Sequence, residues 1–151
     1  GSPVFYGSER IGKSEKLYRN YKFRSMTNEK DENGVLLPAP QRLTKFGRLL
    51  RATSLDELPE LWNILKGDMS IVGPRPLLVK YLPLYNAQQA RRHEVMPGLT
   101  GWAQVNGYRG DTSIRKRIDY DLYYIENWTP GFDLLIMFLT VFKGFINKNA
   151  Y

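Results

Sequence analysis

The chain is 151 residues long, 42% hydrophobic, and carries 22 lysines and arginines against 15 aspartates and glutamates. That length suits a single compact domain spanning residues 1–151. The net charge of +7 predicts an anionic partner, which a nucleotide, a nucleic acid or an acidic membrane surface would each satisfy. The absence of cysteine excludes disulfides and thiolate metal sites, and a single histidine is too few for a Cys/His zinc cluster.

The N-terminal region predicts a β-hairpin. Residues 4–6 and 16–26 have the pattern of two strands, with a glycine and a lysine at the turn between them. In the second strand Lys22 and Arg24 alternate with two aromatic residues, so both cations lie on one face. That pattern is typical of an ordinary solvated strand face, and it also suits a pair of phosphate contacts. Residues 27–41 are polar and contain glycine and prolines, which predicts a flexible or substrate-covering loop.

A basic amphipathic helix is predicted for residues 42–50. Its apolar residues share one face, and basic residues recur at every third position: Arg42, Lys45, Arg48 and Arg51. Such a helix can lie in the headgroup zone of an anionic membrane, where each basic residue contributes on the order of 1 kcal/mol. A surface helix with a solvated basic face would show the same pattern, so both interpretations stay open.

Two adjacent carboxylates, Asp56 and Glu57, follow this helix. Ser54 and Glu57 have the spacing of a capping box, which predicts a second helix that begins at Ser54 and ends at residues 66–67. The helix start would place both acids where its dipole favours negative charge. A phosphate brought there by a divalent cation would also meet Arg51. Because neighbouring helix positions diverge by about 100 degrees, one carboxylate can face the substrate while the other holds the cation.

The middle of the chain predicts a short apolar segment, a rigid turn and one more strand. Residues 73–76 read Gly-Pro-Arg-Pro, so Arg75 is either an arginine held ready for an anion or a solvent-facing side chain on a rigid turn. Residues 79–94 have a helical pattern in their later half, where His93 is expected at the surface or in packing rather than as a ligand. Residues 96–107 predict a turn, a short strand and a turn.

The last third predicts two helices. Residues 114–127 form an amphipathic helix in which Asp121 lies away from the apolar side. Residues 132–146 are apolar with aromatic and basic flanks, which suits either a helix in a membrane interface or a buried core helix. Their longest apolar run, 132–142, is about half of the roughly 20 residues that span a bilayer. Together the elements predict an α+β fold, in which a small N-terminal β-hairpin packs with several amphipathic helices.

Six motifs occur in an order and spacing that resemble one family. They are residues 21–26 (YKFRSM), 53–61 (TSLDELPEL), 66–70 (KGDMS), 72–76 (VGPRP), 97–102 (PGLTGW) and 120–124 (YDLYY). Nearly the whole chain resembles the bacterial sugar transferases known as monotopic phosphoglycosyl transferases. Several motifs in the right order make this resemblance far more specific than any single match.

The resemblance implies a reaction and a set of site residues. Members of the family move a sugar-1-phosphate from a UDP-sugar to a polyprenol phosphate, typically undecaprenyl phosphate, and release UMP. By that resemblance Asp56 is the nucleophile that forms a covalent aspartyl-phosphosugar intermediate, and Glu57 binds Mg²⁺, with Asp56 as a second candidate ligand. A carboxylate is competent for this work once a metal neutralises the diphosphate. The candidate phosphate- and nucleotide-binding residues are Lys22, Arg24, Arg51, Arg75 and Asp121, the last matching a family acid near the site.

The resemblance also implies partners and a location. Family members act at the cytoplasmic face of the bacterial inner membrane, in the first membrane step of surface-glycan synthesis. They carry an N-terminal helix that enters and leaves one leaflet. Only two residues precede Pro3, so we expect this chain to lack that helix and to meet the membrane peripherally.

The expected partners are a UDP-sugar, undecaprenyl phosphate and an anionic membrane surface. Nucleic acid is not expected, because the sequence has no helix-turn-helix, zinc knuckle or aromatic RNA-binding signature. The alternative function is a catalytically silent scaffold or membrane-surface domain of a glycan-assembly complex.

Overall fold

The computed structural model describes residues 3–108 and 113–146. Its N-terminal hairpin pairs strand β1 (Phe5–Ile11) with strand β2 (Leu17–Phe23) in antiparallel register, through a 3₁₀ turn at Lys13–Glu15. The predicted hairpin is confirmed, although the first strand is longer and the second shorter than expected. Two strands alone are marginally stable in water, so the hairpin depends on the helices packed against it.

The helix predicted after the hairpin is confirmed as α2 (Lys45–Ala52), which begins three residues later than expected. A separate short helix, α1 (Ala39–Arg42), forms at the end of the segment that was predicted to be a loop. Thr44 separates them because its hydroxyl accepts a hydrogen bond from the N–H of Gly47 at 2.8 Å, which starts a new helix. A Cβ at Gly47 would lie 2.0 Å from the carbonyl oxygen of Ser25. The glycine therefore allows α2 to dock closely on the chain that leaves the hairpin.

The expected capping box at Ser54 is wrong. Ser54 has a left-handed backbone (φ 57°), its side chain makes no capping hydrogen bond, and a single 3₁₀ turn at Leu55–Glu57 follows it. Lys22 and Arg75 hold the carboxylate of Glu57, so it does not reach back to the chain at residue 54. Helix α3 covers Glu60–Lys66 and ends at Gly67, whose φ is 87°. The predicted end of the helix is therefore confirmed and its predicted start is wrong.

Two three-residue strands, β3 (Ser70–Val72) and β4 (Gly98–Thr100), form a second sheet and run parallel. The sequence predicted the apolar segment and the strand but not their pairing. Between them lie one short helix and two 3₁₀ segments: Val79–Leu84, α4 (Ala87–Ala90) and Arg91–Glu94. Helical structure in the later half of residues 79–94 is thus confirmed. After β4 the chain forms helix α5 (Trp102–Val105) where a turn was expected.

The C-terminal helices complete the core. Helix α6 (Ile114–Glu126) is confirmed, and α7 covers Pro130–Ile146. One apolar cluster joins β3, α5, α6 and α7: Val72, Val105, Tyr124 and Ile136. Other side chains of α7 are exposed: Leu134, Phe138, Val141 and Phe142. The helix therefore has both a core-facing side and an exposed apolar side. The fold is α+β, as predicted, and no helix within the described residues is long and apolar enough to cross a bilayer.

His93 is buried rather than at the surface. It is 5% exposed, its ring centroid lies 5.4 Å from that of Tyr85, and its Nδ1 lies 3.6 Å from a carboxylate oxygen of Glu15. The packing interpretation is therefore confirmed and the surface interpretation is wrong. Burial lowers the pKa of His93, the positive charge of Arg92 lowers it further, and Glu15 offsets only part of this.

We expect His93 to make the folded protein less stable in mild acid. Because its pKa is lower in the folded protein than in the unfolded chain, the neutral ring stabilises the fold fully above a pH of about 6.5 and progressively less below it. The melting temperature of the wild type should therefore fall more than that of His93→Phe between about pH 7.5 and pH 5.5. Phenylalanine keeps a ring beside Tyr85 and does not titrate. Equal slopes for the two proteins would contradict the assignment.

Candidate active site

Asp56 and Glu57 lie side by side on the 3₁₀ turn that follows Ser54. The left-handed backbone of Ser54 turns the chain sharply after α2, and both acids are buried, 6% and 8% exposed. Burying two adjacent carboxylates is unfavourable unless cations compensate their charge. Three separate parts of the fold supply those cations: β2, α2 and the segment that follows β3.

Glu57 is held by two cations at the same oxygen. Lys22 Nζ lies 2.7 Å and Arg75 Nη2 lies 3.0 Å from its Oε1. Burial alone would raise the pKa of Glu57, but Arg75 and Lys22 outweigh burial and lower that pKa to about 2. Glu57 is therefore an anion at physiological pH, and its side chain is fixed in place.

Asp56 has the opposite electrostatic environment. Its Oδ1 is buried and has no hydrogen-bond partner within the described part of the chain. Burial and the neighbouring Glu57 raise the pKa of Asp56, while Lys22 and Arg51 partly offset that rise. A carboxylate with few partners is more basic than a solvated one, so the free oxygen of Asp56 suits a metal ligand or a nucleophile.

Asn63 and Glu60 position Lys22, and sequence reasoning missed both. Asn63 is fully buried; its amide donates to the carbonyl of Arg19 at 2.7 Å, and its Oδ1 accepts from the N–H of Tyr21 at 3.1 Å, which ties α3 to β2. Glu60 is on α3 with Asn63, and its Oε1 lies 3.3 Å from Lys22 Nζ. The available signal was the three-residue spacing from Glu57 to Glu60 and from Glu60 to Asn63, because positions three apart share a helix face.

The two remaining basic candidates lie in different surroundings. Arg51 donates from Nε to the hydroxyl of Ser25 at 3.0 Å and is close enough to Asp56 to lower its pKa. Arg24 instead donates to the carbonyl of Pro3 at 2.9 Å and to a loop asparagine at 3.0 Å. The structure therefore associates Arg51 with the acid pair, whereas Arg24 holds the N-terminal segment against the end of the hairpin.

The contacts of Asp121 lead to the acid pair through other side chains. Its buried carboxylate accepts two hydrogen bonds from Arg92, one from Nε at 3.1 Å and one from Nη2 at 2.9 Å. Arg92 Nη2 also donates to the main-chain carbonyl of Arg75 at 2.6 Å. Asp121 is thus linked to Glu57 through two arginines. Sequence reasoning missed Arg92, because nothing in the helical pattern distinguished it from its neighbours.

An apolar cavity of about 360 Å³ opens beside Glu57 and Arg75. Its walls are mainly aliphatic: Leu58, Leu61, Ile71, Leu99, Met137 and Val141. Exposed apolar side chains lie on the same two helices, α3 and α7: Trp62, Leu65, Phe138 and Phe142. A cavity with charged groups at one end and hydrocarbon walls suits a molecule that combines an anionic group with an apolar part.

The acid pair offers two carboxylates to a cation. Within residues 3–108 and 113–146, no cluster of three or more His, Asp or Glu side chains is placed to hold a metal ion. Mg²⁺ nevertheless suits the pair, because it keeps several waters and is usually bound through one or two carboxylates plus substrate phosphates. The unpartnered Oδ1 of Asp56 is the atom that fits this role best, since Glu57 Oε1 is already shared by two cations.

Carboxylates surrounded by cations, beside an apolar cavity, suit a site that handles a phosphate-containing group, because phosphoryl-transfer chemistry requires charge stabilisation above all. The comparison with known families agrees with this class. The chain belongs to the bacterial sugar transferase family, whose sequence model matches residues 1–147. The resemblance carried by the sequence motifs is therefore confirmed.

Curated relatives cover nearly all of this chain. The uncharacterized sugar transferase EpsL of Bacillus subtilis (strain 168) is 55% identical over 148 residues, which are 98% of this chain and 73% of that protein. The UDP-glucose:undecaprenyl-phosphate glucose-1-phosphate transferase of Klebsiella pneumoniae is 48% identical over 99% of this chain and 34% of its own length. The undecaprenyl-phosphate galactose phosphotransferase of Salmonella typhimurium is 40% identical over 100% of this chain and 35% of its own length. The chain thus spans about a third of these last two proteins.

Proposed function

We propose that this chain is the catalytic domain of an enzyme that transfers a sugar-1-phosphate from a UDP-sugar to undecaprenyl phosphate and releases UMP. The names of the relatives support the acceptor and the transferred group. The observation that carries the proposal is Asp56, a buried carboxylate with an unpartnered oxygen, next to a glutamate that two cations hold. The reaction would begin the membrane stage of surface-polysaccharide synthesis.

In the proposed first half-reaction, a carboxylate oxygen of Asp56 attacks the phosphorus that carries the sugar. A new O–P bond forms, the bond from that phosphorus to the bridging oxygen breaks, and UMP leaves with the electron pair. Asp56 then carries the sugar phosphate as an acyl phosphate. In the second half-reaction, a phosphate oxygen of undecaprenyl phosphate attacks the same phosphorus and frees the carboxylate. A covalent intermediate splits one difficult transfer into two easier steps.

The surrounding cations are proposed to bind the phosphate oxygens. Lys22 and Arg75 already converge on one oxygen of Glu57, so they are ordered before a substrate arrives. Arg51 lies on the Asp56 side of the pair. Mg²⁺, when bound by Asp56 and Glu57, would neutralise the diphosphate and make its phosphorus more open to attack.

The domain is proposed to lie on the cytoplasmic face of the bacterial inner membrane, against anionic lipid. Large apolar side chains of α2, α3 and α7 are each more than half exposed: Phe46, Leu49, Trp62, Leu65, Phe138 and Val141. Exposed apolar groups on several helices are typical of a surface that meets a membrane or a partner. On α2 the exposed cations Lys45 and Arg48 accompany two of these apolar groups, which favours an anionic bilayer.

Neutralising the basic side of α2 should weaken binding to anionic vesicles. Each cation near such a surface contributes on the order of 1 kcal/mol, so Lys45→Gln with Arg48→Gln should weaken binding by roughly 30-fold at low salt. Sedimentation with phosphatidylglycerol-containing vesicles measures this. The matched control, Lys13→Gln with Lys16→Gln, removes two exposed cations from the hairpin turn and should have little effect. An equal loss in both variants would show that net charge alone drives binding and would remove the role assigned to α2.

Intact-protein mass spectrometry tests the proposed function directly. The protein is incubated with Mg²⁺ and one UDP-sugar at a time, and we expect a mass increase equal to one sugar phosphate with the correct donor. Addition of undecaprenyl phosphate in detergent should then remove the adduct and yield the lipid-linked sugar. Failure of every donor to give an adduct, together with no UMP release in the presence of lipid, would favour the scaffold function instead.

A further inference from the structure

The buried side chain of Arg92 connects α6 to the segment that carries Arg75. Its Nε and Nη2 donate to Asp121 Oδ2 at 3.1 and 2.9 Å, and its Nη2 also donates to the carbonyl oxygen of Arg75 at 2.6 Å. Arg92 is 4% exposed and Asp121 is 3% exposed. Neither side chain is therefore available to a substrate, yet Arg92 is two contacts and Asp121 three contacts away from Glu57.

The main chain around Arg75 has little freedom left. Pro74 and Pro76 lack N–H groups and have fixed φ angles, and the residue before a proline is itself restricted. The carbonyl of Pro74 accepts a hydrogen bond from the N–H of Gly98 at 2.9 Å, which ties one side of the segment to β4. The peptide plane that follows Arg75 is tied on its other side by Arg92.

We propose that Arg92, oriented by Asp121, is a positioning residue that fixes the main chain of Arg75. With that peptide plane held, the guanidinium of Arg75 stays on Glu57 and faces the place where the donor's diphosphate would bind. The hydrogen bonds of Arg92 to Asp121 and to the carbonyl of Arg75 do not depend on the proposed function, whereas the expected effect on turnover rests on it. Asp121 is then a residue that acts through two arginines rather than one that touches the substrate.

A purely stabilising role is a poor explanation for this ion pair. Taking both charges out of water is so unfavourable that apolar side chains of similar size often stabilise a core equally well. What an apolar pair cannot do is hold the carbonyl of Arg75. A lysine at position 92 would keep the charge, but it lacks the planar fork with which Arg92 bonds Asp121 and that carbonyl together.

The test separates positioning from stability with a double variant, Arg92→Met with Asp121→Leu. We expect the double variant to remain folded with a melting temperature a few degrees below that of the wild type, because the carbonyl of Arg75 loses its donor. Its kcat for UMP release should fall by roughly 10²-fold, the usual effect of a small misplacement in an active site. Arg92→Lys should show the same fall in kcat, and it replaces the double variant in the test if the double variant does not fold. The matched control is the exposed pair Arg91 and Glu126, 3.0 Å apart, changed to Met and Leu. Its kcat should stay within about threefold of the wild type.

A second measurement needs no turnover. In protein labelled with ¹⁵N-arginine, the Nε–H signal of Arg75, assigned by its loss in Arg75→Lys, should exchange slowly with water in the wild type. It should exchange at least several times faster in either Arg92 variant. An unchanged signal together with unchanged kcat would overturn the proposal. If the wild type releases no UMP from any donor, the proposed function fails, and the exchange rate of Arg75 still decides whether Arg92 positions it.

Discussion

An Asp56→Asn variant is expected to release UMP from its UDP-sugar roughly 10³-fold more slowly than the wild type, or to have no measurable activity. Asparagine has nearly the shape of aspartate, so the buried turn should keep its structure. Its amide oxygen, however, is a poor nucleophile and brings no negative charge. The sugar-phosphate adduct should disappear with the same substitution, because the acyl phosphate has no carboxylate on which to form.

A quenched time course of UMP release, with intact-mass measurements on the same samples, checks this result. Asp119→Asn is the matched control, since Asp119 is an exposed aspartate on α6 and its loss should leave the rate within about twofold. A variant that still forms the adduct would place the nucleophile elsewhere, with Glu57 as the next carboxylate. A slow rate combined with an unchanged adduct yield would assign Asp56 to the second half-reaction only.

Sequence reasoning succeeded where the signal is local. The hairpin, the end of α3 at Gly67 and helix α6 each depend on residues adjacent in the chain, and all three are confirmed. It failed at Ser54, where the spacing of a capping box is present. The two cations that hold Glu57, Lys22 and Arg75, lie 35 and 18 positions away in the chain. Their charge-assisted hydrogen bonds to Glu57 outweigh a single local hydrogen bond.

The candidate site shows the same limit. Motif matching named the acid pair with five binding residues: Lys22, Arg24, Arg51, Arg75 and Asp121. The structure associates Lys22, Arg51 and Arg75 with that pair. Arg24 instead bonds the N-terminal segment, and Asp121 reaches the pair only through two arginines. Motif matching did not find Asn63 or Arg92, which fix the chain segments on which those cations sit. Such residues bond main-chain groups of distant segments, so no periodicity or composition in their own neighbourhood reports what they contact.

Gly98→Ala is expected to destabilise the fold by ~3 kcal/mol. A Cβ at residue 98 would lie 2.0 Å from the nitrogen of Gly73 and 2.6 Å from the carbonyl oxygen of Thr100. Both neighbours are main-chain atoms, which cannot rotate away as a side chain can. To accept the methyl group, β3 and β4 must separate, and the bond from Gly98 N–H to the Pro74 carbonyl would be lost.

Urea unfolding of purified protein measures the change, with Gly131→Ala as the control. Gly131 is near the start of α7, and a Cβ there would meet only the hydroxyl of Thr129 at 3.8 Å. Alanine in that helix should therefore be neutral or stabilise by roughly 0.5–1 kcal/mol. If Gly98→Ala unfolds at the same urea concentration as the wild type, the two short strands are not packed as closely as described. Because Pro74 is tied to Gly98, a destabilised but folded variant should also lose UMP release through displacement of Arg75.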